Sequence, residues 1–172
     1  MKLKSVKILS RWEALDLAVK GDSRVHLVSI RNSTDPRAMY ASMDSDPEKW
    51  AGLCKLSMDD IEHDEPPYVL PELTHVSRAI EFSKTCEHLV VHCTAGICRS
   101  SAIAYLCACQ RMDYEEAAKF VEPKQHWPNS HIVRLGAEHY KDPRIYDVLQ
   151  AHMQADFSGR HWPRVASSGY GS

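Results

Sequence analysis

The stretch HLVVHCTAGICRSSAIAYLC, residues 88–107, decides the fold. It opens with a short run, His88 to His92, that is apolar through Leu89, Val90 and Val91. A run of that kind marks a strand buried on both faces in the middle of a sheet. It leads into residues 100–112, where Ala102, Ile103, Ala104, Tyr105, Leu106, Cys107 and Ala108 leave almost no polar side. A helix apolar all round is a buried one. Between strand and helix lie two cysteines, a glycine, an arginine and a pair of serines. Neither element needs so many polar groups at its end, but a loop built to hold an anion does.

The physics of such a loop is specific. Backbone N–H groups in a tight strand-to-helix turn converge on a concavity suited to an anion. The N-terminus of the following helix adds its positive dipole. Gly96 admits a backbone conformation that a Cβ resists. Arg99 presents a planar fork that meets two phosphate oxygens at once. Ser100 is placed to hydrogen-bond back toward the loop. The field that holds a dianion also favours a thiolate at Cys93. A thiolate facing the phosphorus of a bound phosphoryl group is a nucleophile in line for displacement. The product is a phosphocysteine, which water then hydrolyses.

Outward from this stretch, the chain alternates strands and helices. Val6 to Leu9 reads as a strand. Ser10 starts a Ser-Arg-Trp-Glu capping box with Glu13, and the helix closes at Gly21. Val25 to Ile30 and Leu53 to Met58 read as further strands. Residues 31–49, rich in Asn, Ser, Asp and Pro, read as a long surface loop that shapes a substrate cleft. Asp59 to Tyr68 is an acidic, proline-containing loop. Pro71 to Thr85 has helical spacing through Leu73, Val76, Ile80 and Phe82, and three helical stretches follow near 113–121, 129–141 and 143–157. Asn129 reads as the N-cap of the second of these. The expected architecture is α/β, a central, mainly parallel sheet flanked by helices. A single domain is expected over 1–157, with a Gly- and Ser-rich flexible tail at 158–172.

Composition agrees with this class. The 172 residues suit one domain with a proper core, at 44% apolar and 26% charged. The formal net charge of −2 lacks the global basic field of nucleic-acid binders. No apolar run approaches a membrane span, and no signal-peptide core follows the basic Met1–Lys4. The cysteines at 54, 86, 93, 98, 107 and 109 sit in apolar or helical contexts, which points to reduced thiols and a cytoplasmic setting.

His92-Cys93-Thr94-Ala95-Gly96-Ile97-Cys98-Arg99-Ser100 matches His-Cys-x-x-Gly-x-x-Arg-Ser. It resembles the signature of the cysteine-dependent protein tyrosine phosphatases, especially the small dual-specificity type. SMDDI (57–61) and PNSHIVRL (128–135) look like a bacterial branch of that family. The resemblance covers residues 50–140; the first 50 match only in strand–helix–strand order. It implies a protein tyrosine phosphatase-like fold, with Cys93 as nucleophile and Arg99 binding the phosphoryl group and stabilising the transition state. The backbone of Thr94, Ala95, Gly96, Ile97, Cys98 and Ser100 would cradle the oxygens. Ser100 would also stabilise the departing thiolate, and His92 would act on the thiolate through hydrogen bonds to the loop.

The family also places an aspartic acid on a separate loop, some thirty residues before the cysteine, to protonate the leaving oxygen. Asp59, Asp60 and Asp64 all precede Cys93 by about thirty positions. Asp60 is the first choice because it follows the end of the expected strand. Asp59 is close behind, and Asp64, next to Glu65-Pro66-Pro67, stays open.

The chemistry implies neither metal nor organic cofactor, since Arg99 and the loop amides supply the electrostatics a metal would. A zinc site from His88, His92, Cys93 and Cys98 fits no usual ligand spacing, and Arg99 would repel the ion. No lysine lies between Cys93 and Arg99. A single phosphoryl group, as in phosphotyrosine or a small phosphomonoester, therefore suits the loop better than a multiply phosphorylated headgroup. Tyr40 is the aromatic candidate for shaping the pocket, and Trp127 and His126 are candidates for its wall. Cys98 reads as a packing residue rather than a disulfide partner of Cys93. A monomer is expected, without nucleic-acid or membrane partners. The alternative function is a catalytically inactive module that docks phosphoproteins through the same loop.

Overall fold

The computed structural model describes residues 3–44 and 47–155. The expected tail at 158–172 lies outside them. Four parallel strands form one sheet in the order β1-β4-β2-β3: β1 (Ser5–Ser10), β2 (Asp22–Arg31), β3 (Trp50–Ser57) and β4 (His88–Cys93). The run of apolar residues that opens the signature is thus the central strand, as its sequence implies. It pairs β1 from Ser5↔His88 to Ser10↔Cys93 on one side and β2 from Val25↔His88 to Ser29↔His92 on the other.

The alternation of β4 divides the core in two. Val90 joins Ala14 and Ala18 of helix α1 (Arg11–Lys20), with Leu27, Tyr40, Met43 and Trp50, on one face of the sheet. Leu89, Val91 and Cys93 join the larger cluster on the other face. That cluster is closed by α3 (Leu73–Ser83), α4 (Arg99–Cys109), α5 (Tyr114–Ala118), α6 (Ser130–Tyr140) and α7 (Arg144–Ala155). Every residue of α4 is buried, because it lies between the sheet and the other helices. The first helix forms as its capping box requires: Ser10 Oγ accepts from Glu13 N, and Glu13 accepts from Ser10 N at 2.7 Å.

The segment 31–49 differs from the expected loop. It folds into two 3-10 turns, Arg37–Tyr40 and Pro47–Lys49, around a short helix α2 (Ala41–Asp44). The reason is apolar burial: Tyr40 and Met43 sit at 1% and 0% exposure in the smaller cluster. Tyr40 is therefore a core residue and not an aromatic of the cleft. Its hydroxyl donates to Asp35 Oδ2 at 2.5 Å, and the Arg31 guanidinium lies 4.2 Å from its ring centroid.

Helices α4 and α6 cross with almost no space between them. A Cβ built on Gly136 falls inside the Leu106 side chain, 2.9 Å from its Cγ, and Leu106 is fully buried. Gly136→Ala adds helix propensity worth about 1 kcal/mol, but the overpacking costs about 1–3 kcal/mol. The net outcome expected in thermal or denaturant unfolding is a lowered midpoint, opposite in sign to what the same change gives at an open helical position.

Candidate active site

The loop between β4 and α4 is built from the backbone outward. Three of its carbonyls are tied to two other segments of the chain. Thr94 O accepts from Arg11 N at the start of α1 at 3.2 Å, Ile97 O from Trp127 N at 3.1 Å, and Cys98 O from Asn129 N at 3.2 Å. Ser101 Oγ adds hydrogen bonds to the Ile97 and Cys98 carbonyls at 2.5 and 3.0 Å. Gly96 has φ +74, and a Cβ there would lie 2.6 Å from Ser10 N and 2.7 Å from Leu9 C. Only glycine lets the loop rest on the β1–α1 junction.

Within this frame Cys93 is 1% exposed, and its Sγ lies 3.2 Å from Ser100 Oγ. Arg99, 3% exposed, reaches back over the loop. Its Nη1 donates to Met58 O at 2.7 Å and its Nη2 to Thr94 Oγ1 at 3.2 Å, while the buried Nε has no protein partner. A buried guanidinium N–H without an acceptor is costly and points to an anion as its complement. Thr94 Oγ1 in turn donates to Asn32 Oδ1 at 3.4 Å.

His92 lies beneath the loop, fully buried on the α1 side. Burial pushes its pKa down to about 4, against the hydrogen bond to the Cys93 carbonyl, so the ring is neutral at pH 7. The Cys93 carbonyl, 3.5 Å from Nδ1, only accepts, so Nδ1 carries the proton. Nε2 then accepts from Ser29 Oγ at 2.8 Å. Ser29 Oγ accepts from Arg31 Nε at 3.1 Å, and Arg31 is held by a bidentate pair to Asp44 at 2.7 and 2.9 Å. A polar chain of four side chains thus fixes the carbonyl of Cys93 from below. The sequence gives no sign of Ser29, Arg31 or Asp44 here, because they meet His92 only through the pairing of β2 with β4.

The three acidic candidates have different environments. Asp59 is 5% exposed. Its Oδ2 accepts from Ser33 Oγ at 2.5 Å and Val69 N at 2.8 Å, and its Oδ1 from Ser33 N at 3.2 Å. Burial alone would raise its pKa, but these donors and the Arg99 charge outweigh burial and hold it below the ordinary carboxylate range. Such a carboxylate fastens a loop. Asp60 is exposed at the mouth, where Asn129 Nδ2 donates to its Oδ1 at 2.9 Å. It also lies beside the Cys98 thiol: burial, and then the Asp60 charge, push that thiol up to about 12. Asp64 is exposed, in the stretch between Asp59 and Val69. A cleft of about 300 Å³ opens between Asn32, Thr34, Asp59, Asp60, Ile61 and Tyr68.

Asn129 caps α6 as expected, accepting from Ile132 N at 3.1 Å, and it also donates to Asp60, a link that a cap alone does not imply. His126, half-buried, accepts from Glu122 N at 2.8 Å, and Trp127 packs against the larger core cluster. All six cysteines are free thiols, Cys93 and Cys98 included. No group of three or more His, Cys, Asp or Glu side chains suited to a metal ion occurs among the described residues. None of the described helices is long and apolar enough to cross a membrane.

No protein-family model matches the sequence, and no curated protein sequence matches it. Among solved structures, the crystal structure of PTPMT1 aligns over 88% of this chain and 90% of its own, at 16% identity and a TM-score of 0.38.

The contrast between Asp59 and Asp60 is measurable. Asp59→Ala removes the acceptor of three hydrogen bonds and is expected to lower stability by about 1–3 kcal/mol at pH 7, whereas Asp60→Ala leaves it nearly unchanged. Because the folded-state pKa of Asp59 is depressed, its contribution is full above the unfolded value of about 3.9 and is lost as pH falls through the folded value. The stability gap between wild type and Asp59→Ala is therefore expected to narrow below about pH 4 in denaturant titrations.

Proposed function

We propose that this chain hydrolyses phosphomonoesters, most favourably phosphotyrosine in proteins, through a phosphocysteine at Cys93. The observation that carries the reading is the juxtaposition of a thiol and a guanidinium on one loop whose Thr94, Ile97 and Cys98 carbonyls are engaged outward. That arrangement leaves the amides of Thr94 to Ser100 and the unpartnered Arg99 Nε for the oxygens of a phosphoryl group. The dual-specificity-like signature described above supports the same reading.

In the first step the Cys93 thiolate attacks phosphorus, the S–P bond forms as the P–O ester bond breaks, and Asp60 gives its proton to the leaving oxygen. Loop amides and Arg99 hold the equatorial oxygens as charge redistributes. In the second step the Asp60 carboxylate takes a proton from water, the water oxygen attacks phosphorus, and the S–P bond breaks. The Ser100 hydroxyl, 3.2 Å from Sγ, donates to the departing thiolate. His92 holds the Cys93 carbonyl without touching substrate. No cofactor enters either step.

Asp60 is preferred over Asp59 as the acid because a carboxylate kept ionised by three donors is a poor proton source. The loop between the cysteine and the arginine carries no added cation, which favours a single phosphoryl group. Asp60 lines the cleft, and Asp64 and Glu65 are exposed in the same segment, a poor match for polyanions such as nucleic acid. A monomeric protein with free thiols in a reducing, cytoplasmic setting completes the reading.

The test is hydrolysis of an aryl phosphate in EDTA, followed against pH. Wild type is expected to turn over and Cys93→Ser to be inactive, with phosphate trapped on Cys93 in rapidly quenched wild type. Arg99→Ala is expected to lose on the order of 10²-fold or more in kcat, and Asp60→Ala about 10²–10⁴-fold on substrates with poor leaving groups. A well-folded, reduced wild type without turnover that still binds phosphopeptides would establish the inactive docking module instead.

A further inference from the structure

Asn129 stands where three parts of the site meet. Its side chain is buried, at 4% exposure. Its Oδ1 accepts from Ile132 N and caps α6, and its backbone N donates to Cys98 O of the phosphate loop. Its Nδ2 donates to Asp60 Oδ1 at 2.9 Å and to Ile61 O at 3.3 Å. Next to it, Ser130 N and Oγ both donate to Glu62 Oε1, at 2.9 and 2.7 Å, and Arg134 Nη2 holds the Ser130 hydroxyl at 2.8 Å. The segment between β3 and α3 has no regular structure of its own from residue 58 to 72. The start of α6 therefore grips it at Asp60, Ile61 and Glu62 in succession.

We infer that Asn129 is a positioning residue that aims the Asp60 carboxyl at the leaving oxygen and decides which of its oxygens carries the proton. An amide NH₂ only donates. Oδ1 of Asp60 must then act as acceptor in both protonation states, and the transferable proton sits on Oδ2. A carboxyl free to rotate presents its proton in the productive direction for only part of the time, and a loop free to drift loses more. Holding one oxygen removes both freedoms before substrate arrives. Because Asn129 is also fastened to Cys98 O, the acid is referenced to the loop that binds the phosphoryl group rather than to a distant part of the fold. The titratable neighbours are consistent with this. The Cys98 thiol beside Asp60 stays protonated at neutral pH, since burial and the Asp60 charge push it up to about 12. Glu62 is engaged by Ser130, and Asp59 by Ser33 and Val69.

The inference rests on the phosphatase reading and on Asp60 as the acid, and the experiment separates the three. Two variants keep a cap acceptor for Ile132 N–H but remove the donor to Asp60: Asn129→Ser and Asn129→Asp. Each is compared with wild type and Asp60→Ala on phenyl phosphate, whose leaving group needs a proton, and on dinitrophenyl phosphate, whose leaving group does not. The expected result is a kcat/KM ratio, dinitrophenyl over phenyl, raised at least tenfold in both variants and in Asp60→Ala, since kcat/KM excludes the later hydrolysis step that both substrates share. Adding Asn129→Ser to Asp60→Ala is expected to raise the ratio no further, because the two act as a unit.

Equal losses on both substrates would make Asn129 a structural cap only and overturn the inference. A raised ratio that multiplies with that of Asp60→Ala would overturn it as well, by showing that Asn129 acts on another step. If Asp60→Ala itself leaves the ratio unchanged, the assignment of the acid fails and this inference with it, while the Cys93 chemistry stands. Turnover that survives Cys93→Ser would remove the phosphatase reading on which both depend.

Discussion

Everything about the candidate site depends on where the carbonyls of one short loop go. A loop cannot present its amides inward unless its C=O groups are satisfied elsewhere, since buried backbone acceptors without partners are costly. Here the partners come from outside the loop: Arg11 N at the head of α1, Trp127 N and Asn129 N just before α6, and the Ser101 hydroxyl one turn into α4. The β1–α1 junction supplies the floor, close enough that position 96 has no room for a side chain. The loop is thus a suspended structure, held by distant segments of the chain, and its inward polarity is a consequence of that suspension.

Beneath the loop, burial makes a neutral imidazole out of His92, and neutrality then fixes a single tautomer. From that one fact the direction of every hydrogen bond follows, from Arg31 through Ser29 and His92 to the Cys93 carbonyl. The charge that begins the chain stays in its pair with Asp44, joined by Lys55 at 3.1 Å. Reactive polarity at the mouth and satisfied polarity underneath are kept apart by the depth of β4.

Much of this was legible in the amino-acid order. The apolar run of β4, the buried helix behind it and the capping box at Ser10 are local patterns, and local patterns survive into the fold. The α/β architecture with a parallel sheet follows from their alternation. Less legible was everything settled by tertiary contact. Tyr40 lies in a polar segment, yet the sheet face behind it needed covering and took it into the core. Asp59 and Asp60 are adjacent carboxylates that sequence cannot separate; one turns inward to Ser33 and Val69 and the other outward to Asn129. Ser29 and Arg31 read as strand residues, and nothing in β2 alone announces that a histidine from β4 lies across from Ser29.

The order of the strands adds one thing more. The sheet runs β1-β4-β2-β3, so the first strand of the chain is laid beside the last. The β4–α4 loop needs residues 9–11 below it and residues 127–129 beside it, separated by most of the described polypeptide. A chain emerging from the ribosome therefore lacks part of the support of the β4–α4 loop until the segment that begins α6 has been made and docked. The shape of this loop is a property of the finished domain, and no fragment that ends before α6 contains all of its supports.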